Sequence, residues 1–124
     1  MSKVLLVDDS AMARRGTRRI LEEAGYEVVE AEDGMSALER YFVEKPDVVM
    51  LDLVMKGMPG LDVISKVREM DPAARIVVLS ADVQTSSREM VRAAGAAGFL
   101  NKPVDRQQML DMIARALERG DAWS

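Results

Sequence analysis

Val48-Val49-Met50-Leu51-Asp52 is a run of four apolar residues that ends on a carboxylate. A strand with one face in water alternates apolar and polar side chains, whereas an unbroken apolar run belongs to a parallel strand covered by helices on both faces. Val4-Leu5-Leu6-Val7, running into Asp8-Asp9, and Ile76-Val77-Val78-Leu79, running into Ser80, have the same character. Two more short apolar runs begin at Val28 and Phe99, and the second leads to Lys102-Pro103.

Each run is followed by a stretch with helical spacing. Ile20, Leu21 and Ala24 form a stripe that ends at Gly25. Asp33 caps a second helix bearing Leu38, Tyr41 and Phe42, which stops before Pro46. Leu61, Ile64 and Val67 mark a third helix, and Met90, Val91 and Ala94 a fourth. Leu110, Ile113 and Leu117 mark a fifth, with Asp105 at its N-cap. A strand-helix unit repeated five times predicts an α/β domain with a doubly wound parallel sheet. Right-handed crossovers favour the flavodoxin-like strand order 2-1-3-4-5, with a smaller Rossmann-like sheet as the alternative.

The 124 residues suit one domain, 48% hydrophobic and 31% charged. Without cysteine there is no disulfide framework, zinc-thiolate site or iron–sulfur cluster. Without histidine the commonest general base and transition-metal ligand are gone, so any chemistry rests on carboxylates, hydroxyls and lysine. The net charge of −4, from 17 basic and 21 acidic residues, and the lack of a basic run interleaved with aromatics argue against direct nucleic-acid binding. The apolar runs are too short to span a bilayer and no signal-peptide pattern opens the chain, so a cytoplasmic protein without membrane insertion is expected.

Ligands in such sheets bind beyond the carboxyl ends of the strands. In the 2-1-3-4-5 order, Asp8, Asp9, Asp52, Ser80 and Lys102 converge on one rim. Clustered carboxylates repel, and a divalent cation relieves that repulsion. An all-oxygen set suits Mg²⁺ and disfavours zinc. Asp52, alone at the end of the central strand, is the candidate nucleophile, with Ser80, Lys102 and the metal placed to neutralise charge on a transferring phosphoryl group.

An acidic pair after strand one, an Asp after strand three, a Ser after strand four and Lys-Pro after strand five resemble the response-regulator receiver domain of two-component signalling, in its stand-alone chemotaxis-regulator form, over nearly the whole chain. The resemblance implies a signalling module and not an enzyme. Its phosphoryl group would come to Asp52 from a sensor histidine kinase or phosphotransfer protein, and Asp9, Asp52 and the Val54 carbonyl would ligate Mg²⁺, with Asp8 acting through water. It also implies a cis Lys102-Pro103 bond. Ser80 and Phe99 would form a switch that reshapes the helix four, strand five, helix five face for a protein target, and Val54 and Asp82 would tune hydrolysis. Residues 1–120 would form the receiver domain and 121–124 a short tail, with no output domain.

One position departs from the family pattern: Lys56 stands where a proline usually follows the phosphoacceptor, and proline comes instead at Pro59. The arginines at 14, 15, 18 and 19 read as a solvated helix face, or alternatively as a kinase-docking surface. Three rivals fit less well. A haloacid-dehalogenase-like phosphohydrolase would need a second acid that Asp52-Leu53-Val54 lacks. An FMN carrier would need a phosphate-cradling loop where Asp8-Asp9-Ser10 stands. A phosphate-independent pseudo-receiver would not need the intact acidic set.

Overall fold

The computed structural model describes residues 1–81 and 85–123. Among these, strands β1 (Lys3–Val7), β2 (Glu27–Ala31), β3 (Val48–Asp52), β4 (Ile76–Ser80) and β5 (Gly98–Asn101) alternate with helices α1 (Ala11–Glu23), α2 (Gly34–Glu44), α3 (Gly60–Met70), α4 (Thr85–Ala93) and α5 (Arg106–Arg119). The strands form one parallel sheet in the order β2-β1-β3-β4-β5, the flavodoxin-like arrangement.

The continuous apolar runs divide between the two faces of the sheet. Leu5, Val7, Val49, Leu51, Ile76 and Val78 pack with Val63, Ile64 and Val67 of α3 and Val91 of α4. The intervening residues Val4, Leu6, Val48, Met50, Val77 and Leu79 pack with Leu21 of α1 and with Met109, Met112, Ile113 and Ala116 of α5. Register places Leu5 beside Val49 and Val49 beside Ile76, so each layer is continuous across the central strands. Full burial of such side chains contributes about 1.5–3 kcal/mol each, and the central sheet is held by this two-sided core.

Helix starts are set by local chemistry. The Ser10 hydroxyl accepts the Ala13 amide, Asp33 accepts that of Ser36 at 2.8 Å, and Asp105 accepts that of Gln108 at 3.0 Å. Helix α3 has no side-chain cap and begins directly after Pro59.

The expected apolar stripes shift in four places. In α1 the stripe loses Ala24, which is exposed because the helix has already ended at Glu23 and Ala24 is its cap. In α2 it is Tyr41 that is buried, while Phe42, about 100° further round the helix, is 73% exposed. Tyr41 suits the inner position because its hydroxyl reaches Asp71, 2.8 Å away. The buried face of α5 is Met109, Met112, Ile113 and Ala116, with Leu110 and Leu117 at its margins. Met90 of α4 is exposed, and Val91 is fully buried.

Ala122 and Trp123, after α5, are tied back to the sheet edge. The Ala122 amide donates to Ala97 O at 2.7 Å, and the Trp123 indole N–H donates to Ala96 O at 2.7 Å. The Arg88 and Arg92 guanidinium carbons lie 5.4 and 5.1 Å from the centroid of the Trp123 ring. No helix among the described residues is long and apolar enough to cross a membrane.

Candidate functional site

Strand β1 ends immediately before Asp8, β3 ends on Asp52 and β4 ends on Ser80, so sheet order alone delivers these side chains to one rim. Carboxylate oxygens of Asp8, Asp9 and Asp52 all lie within 4.8 Å of one another. Asp8 and Asp52 are buried, whereas Asp9 is exposed. Lys102 reaches in from the far side: its Nζ is 3.2 Å from Asp52 Oδ2 and 3.6 Å from Asp8 Oδ2. The Lys102-Pro103 peptide bond is cis.

The acids are held by backbone amides as well as by the ammonium. Ser10 N donates to Asp8 Oδ1 at 2.9 Å, Val54 N donates to Asp52 Oδ1 at 3.2 Å, and Lys56 N donates to Asp9 Oδ2 at 3.4 Å. Each bond orients a carboxylate toward the shared centre. The Lys56 contact is available because residue 56 is not proline, which has no N–H to give. The Lys56 side chain is exposed, and its amide is what touches the cluster. The Ser10 contact had a legible signal, since an Asp two residues before a helix N-cap readily accepts the amide of residue i+2.

Burial pushes the Asp52 carboxyl above the ordinary carboxylate range. The Lys102 hydrogen bond and charge and the Val54 amide oppose this, and the Asp8 charge adds to it. A group in that balance gains from any added positive charge. The donor set is made of hard oxygens with no nitrogen or sulfur, and three such acids around one point match the preference of Mg²⁺ for a few carboxylates plus other oxygen ligands. The structure contributes Asp8, Asp9 and Asp52 to such a centre.

The remaining marked residues surround this core. Ser80 is fully buried at the end of β4, and Asp52 pairs with its neighbour Leu79 in register. Phe99, 6% exposed on β5, packs in the same layer as Val91 and Val78. The Val54 side chain is 70% exposed at the mouth of the site. Asp82 lies outside the described residues. On α1, Arg14 and Arg18 are not simply solvated: both pair with Glu30, Arg14 at 2.9 Å, while Arg15 and Arg19 are exposed.

Compared with known proteins, the family model of the response regulator receiver domain matches residues 4–114. The chain is 37% identical to the chemotaxis protein CheY of Halobacterium salinarum, over 93% of this chain and 96% of that one. Among solved structures, it resembles chemotaxis protein CheY4 of Vibrio cholerae with a TM-score of 0.88 and 33% identity, covering 93% of this chain and 98% of that one. It also resembles a chain of the CheX–CheY–BeF₃–Mg²⁺ complex of Borrelia burgdorferi, with a TM-score of 0.89 and 30% identity over 93% of this chain and 88% of that one.

Proposed function

The chain belongs to the response regulator receiver domain family, whose members are signalling modules, and from that membership we propose that Asp52 accepts a phosphoryl group from a sensor histidine kinase or phosphotransfer protein in a Mg²⁺-dependent reaction. The observation that carries this reading is the meeting of three carboxylates and one ammonium at the carboxyl edge of the sheet, with Asp52 at its centre.

Asp52 has one oxygen engaged by the Val54 amide and the other by Lys102, which hold the carboxylate in one orientation for in-line attack on phosphorus. Asp8, Asp9 and Asp52, with the Val54 carbonyl, would hold Mg²⁺, which when bound would neutralise the acids and the phosphoryl oxygens. Lys102 supplies the protein's own positive charge to the same oxygens as the bond to the leaving group breaks. The module in this way assists its own phosphorylation and its later hydrolysis, with Val54 and Asp82 governing the approach of water.

Ser80 and Phe99 lie on adjacent strands that connect the acidic rim to the α4–β5–α5 face. Movement of the Ser80 hydroxyl toward an aspartyl phosphate, followed by Phe99 into the vacated space, would reshape that face for a protein target. The Borrelia burgdorferi CheY was crystallised with a protein partner together with BeF₃ and Mg²⁺, which supports a phosphate-dependent protein contact here. Residues 1–120 would act as the receiver unit and 121–124 as a short tail, in a protein working in the cytoplasm.

Incubation with acetyl phosphate and Mg²⁺, followed by intact mass measurement, tests the proposal. One added phosphoryl group is expected, lost in Asp52→Asn and in EDTA. Undiminished labelling of Asp52→Asn would remove Asp52 from the mechanism.

A further inference from the structure

At the amino-terminal edge of the sheet, opposite Asp52, the chain forms a second charged centre. Arg68 of α3, Arg75 before β4, Arg92 of α4 and Arg119 of α5 line one depression of about 510 Å³, with Asp121 the acid in its wall and Trp123 beside it. In a chain of net charge −4, four arginines from four separate segments line this one depression. None of them has a carboxylate within 4.0 Å among the described residues, although Arg14, Arg18, Arg40 and Arg106 elsewhere are all paired.

Three of the arginines are also held in place. Arg68 donates to Ala74 O and Arg75 to Leu117 O, each at 3.0 Å, and Arg92 lies over the Trp123 ring. Gly95, at φ +107, lets Arg68 pass, since a Cβ there would sit 2.9 Å from Arg68 Nε. A guanidinium has five N–H donors, so one backbone bond leaves most of each fork available.

The bland account is that these arginines offset helix C-termini, because Arg68, Arg92 and Arg119 occupy the last turns of α3, α4 and α5. Three helix ends supply roughly −1.5 charges between them. Together with Asp121, that leaves an excess of about 1.5 positive charges in the wall, before the Asp71 charge that acts on Arg68 from outside it. Helix compensation therefore does not use up the charge.

We propose that this arginine-lined depression binds a small phosphate-bearing anion. A lone carboxylate offers two oxygens, too few for several forks, whereas phosphate groups present more oxygens and more charge in the geometry that arginine matches. The site is independent of the reading of Asp52.

The test is amide-resolved NMR titration of the whole chain with pyrophosphate and with ADP, against succinate and sodium chloride at equal ionic strength. Saturable shifts are expected at the Ala96, Ala97 and Gly120 amides and the Trp123 indole N–H for both phosphate probes. Tighter binding of ADP would identify a nucleotide-type ligand, and equal binding the phosphate chain alone. Substitution of the two exposed arginines, R92Q/R119Q, is expected to weaken binding about tenfold with an unchanged circular dichroism spectrum. Absence of saturable shifts, an equal response to succinate or chloride, or unchanged affinity in the natively folded double variant would each overturn the proposal.

Discussion

Lys102 Nζ stands 3.2 Å from Asp52 Oδ2 and 3.6 Å from Asp8 Oδ2, so one ammonium bridges two buried carboxylates that arrive from different strands. Lys102→Met would leave those acids facing one another without a counter-charge. The side chain is partly open to water, which screens the pair, and a loss of about 1 kcal/mol in metal-free buffer is expected. Added Mg²⁺ should restore more stability to the variant than to the parent, because the metal then meets the acids without a competing ammonium. Urea denaturation in EDTA and in Mg²⁺ measures both quantities.

Asp52 makes metal-free stability depend on pH in a direction opposite to a salt-bridged surface acid. Burial raises its folded-state value above the unfolded one of about 3.9. The folded chain then holds the proton at pH values where the unfolded chain has lost it, and stability declines as pH rises from about 4 through the folded-state value. Asp52→Asn removes this contribution. The variant is expected to gain on the parent as pH rises through that window in EDTA, and a difference that stays flat with pH would count against the buried-charge account.

Lys56 separates the role of a backbone amide from that of a side chain. Its N–H lies 3.4 Å from Asp9 Oδ2, a long bond, while its ammonium is exposed. Lys56→Ala is expected to leave Mg²⁺ affinity within about twofold. Lys56→Pro removes the amide and frees the exposed Asp9 to turn away, and a loss of a few-fold is expected, on the order of 0.5–1 kcal/mol. Stabilisation against heat as a function of Mg²⁺ concentration gives both affinities.

How far this molecule could be read before its structure followed from how local each signal is. The strands were legible because Val4 to Val7, Val48 to Leu51 and Ile76 to Leu79 are buried on both sides and so carry no polar interruption. The acidic rim was legible because sheet order and strand ends suffice to gather Asp8, Asp9, Asp52 and Lys102. Which of Tyr41 and Phe42 faces inward was not, because helical spacing tolerates either until Asp71 is known to lie under the phenol. The arginine depression was also invisible, since residues 68, 75, 92 and 119 share no spacing and meet only where three helices end. The docking of Trp123 depends likewise on Ala96, which is far from it in sequence.

The Tyr41 hydroxyl donates to Asp71 Oδ2 at 2.8 Å and, with the Ala73 amide, holds the Asp71 carboxyl below the usual carboxylate range. Such a depressed group stabilises the fold above its unfolded value of about 3.9, and that stability is lost as pH falls through the folded-state value. Tyr41→Phe is expected to cost about 1 kcal/mol at neutral pH. The gap between parent and variant should close below about pH 4. Denaturant titrations at neutral and acid pH compare the two.

Gly60 opens α3 with no room for a side chain: a Cβ there would lie 2.7 Å from Leu53 O and 2.9 Å from Leu53 Cδ1. Leu53 directly follows Asp52, and its amide is itself pinned to Leu79 O at 2.9 Å. The strain of Gly60→Ala therefore has to be relieved either by moving α3 or by shifting the backbone that presents Asp52. A loss of roughly 1–3 kcal/mol is expected from this overpacking. Slower labelling by acetyl phosphate should accompany it, because the Val54 amide that orients Asp52 sits on the same segment. Gly57→Ala is the control: φ is +82 there, but nothing lies within 4 Å of the added methyl. That variant should carry backbone strain of about 1 kcal/mol and label at a rate close to the parent's. Equal labelling rates in both variants would show that the contact between Gly60 and Leu53 fixes the helix without steering the carboxylate.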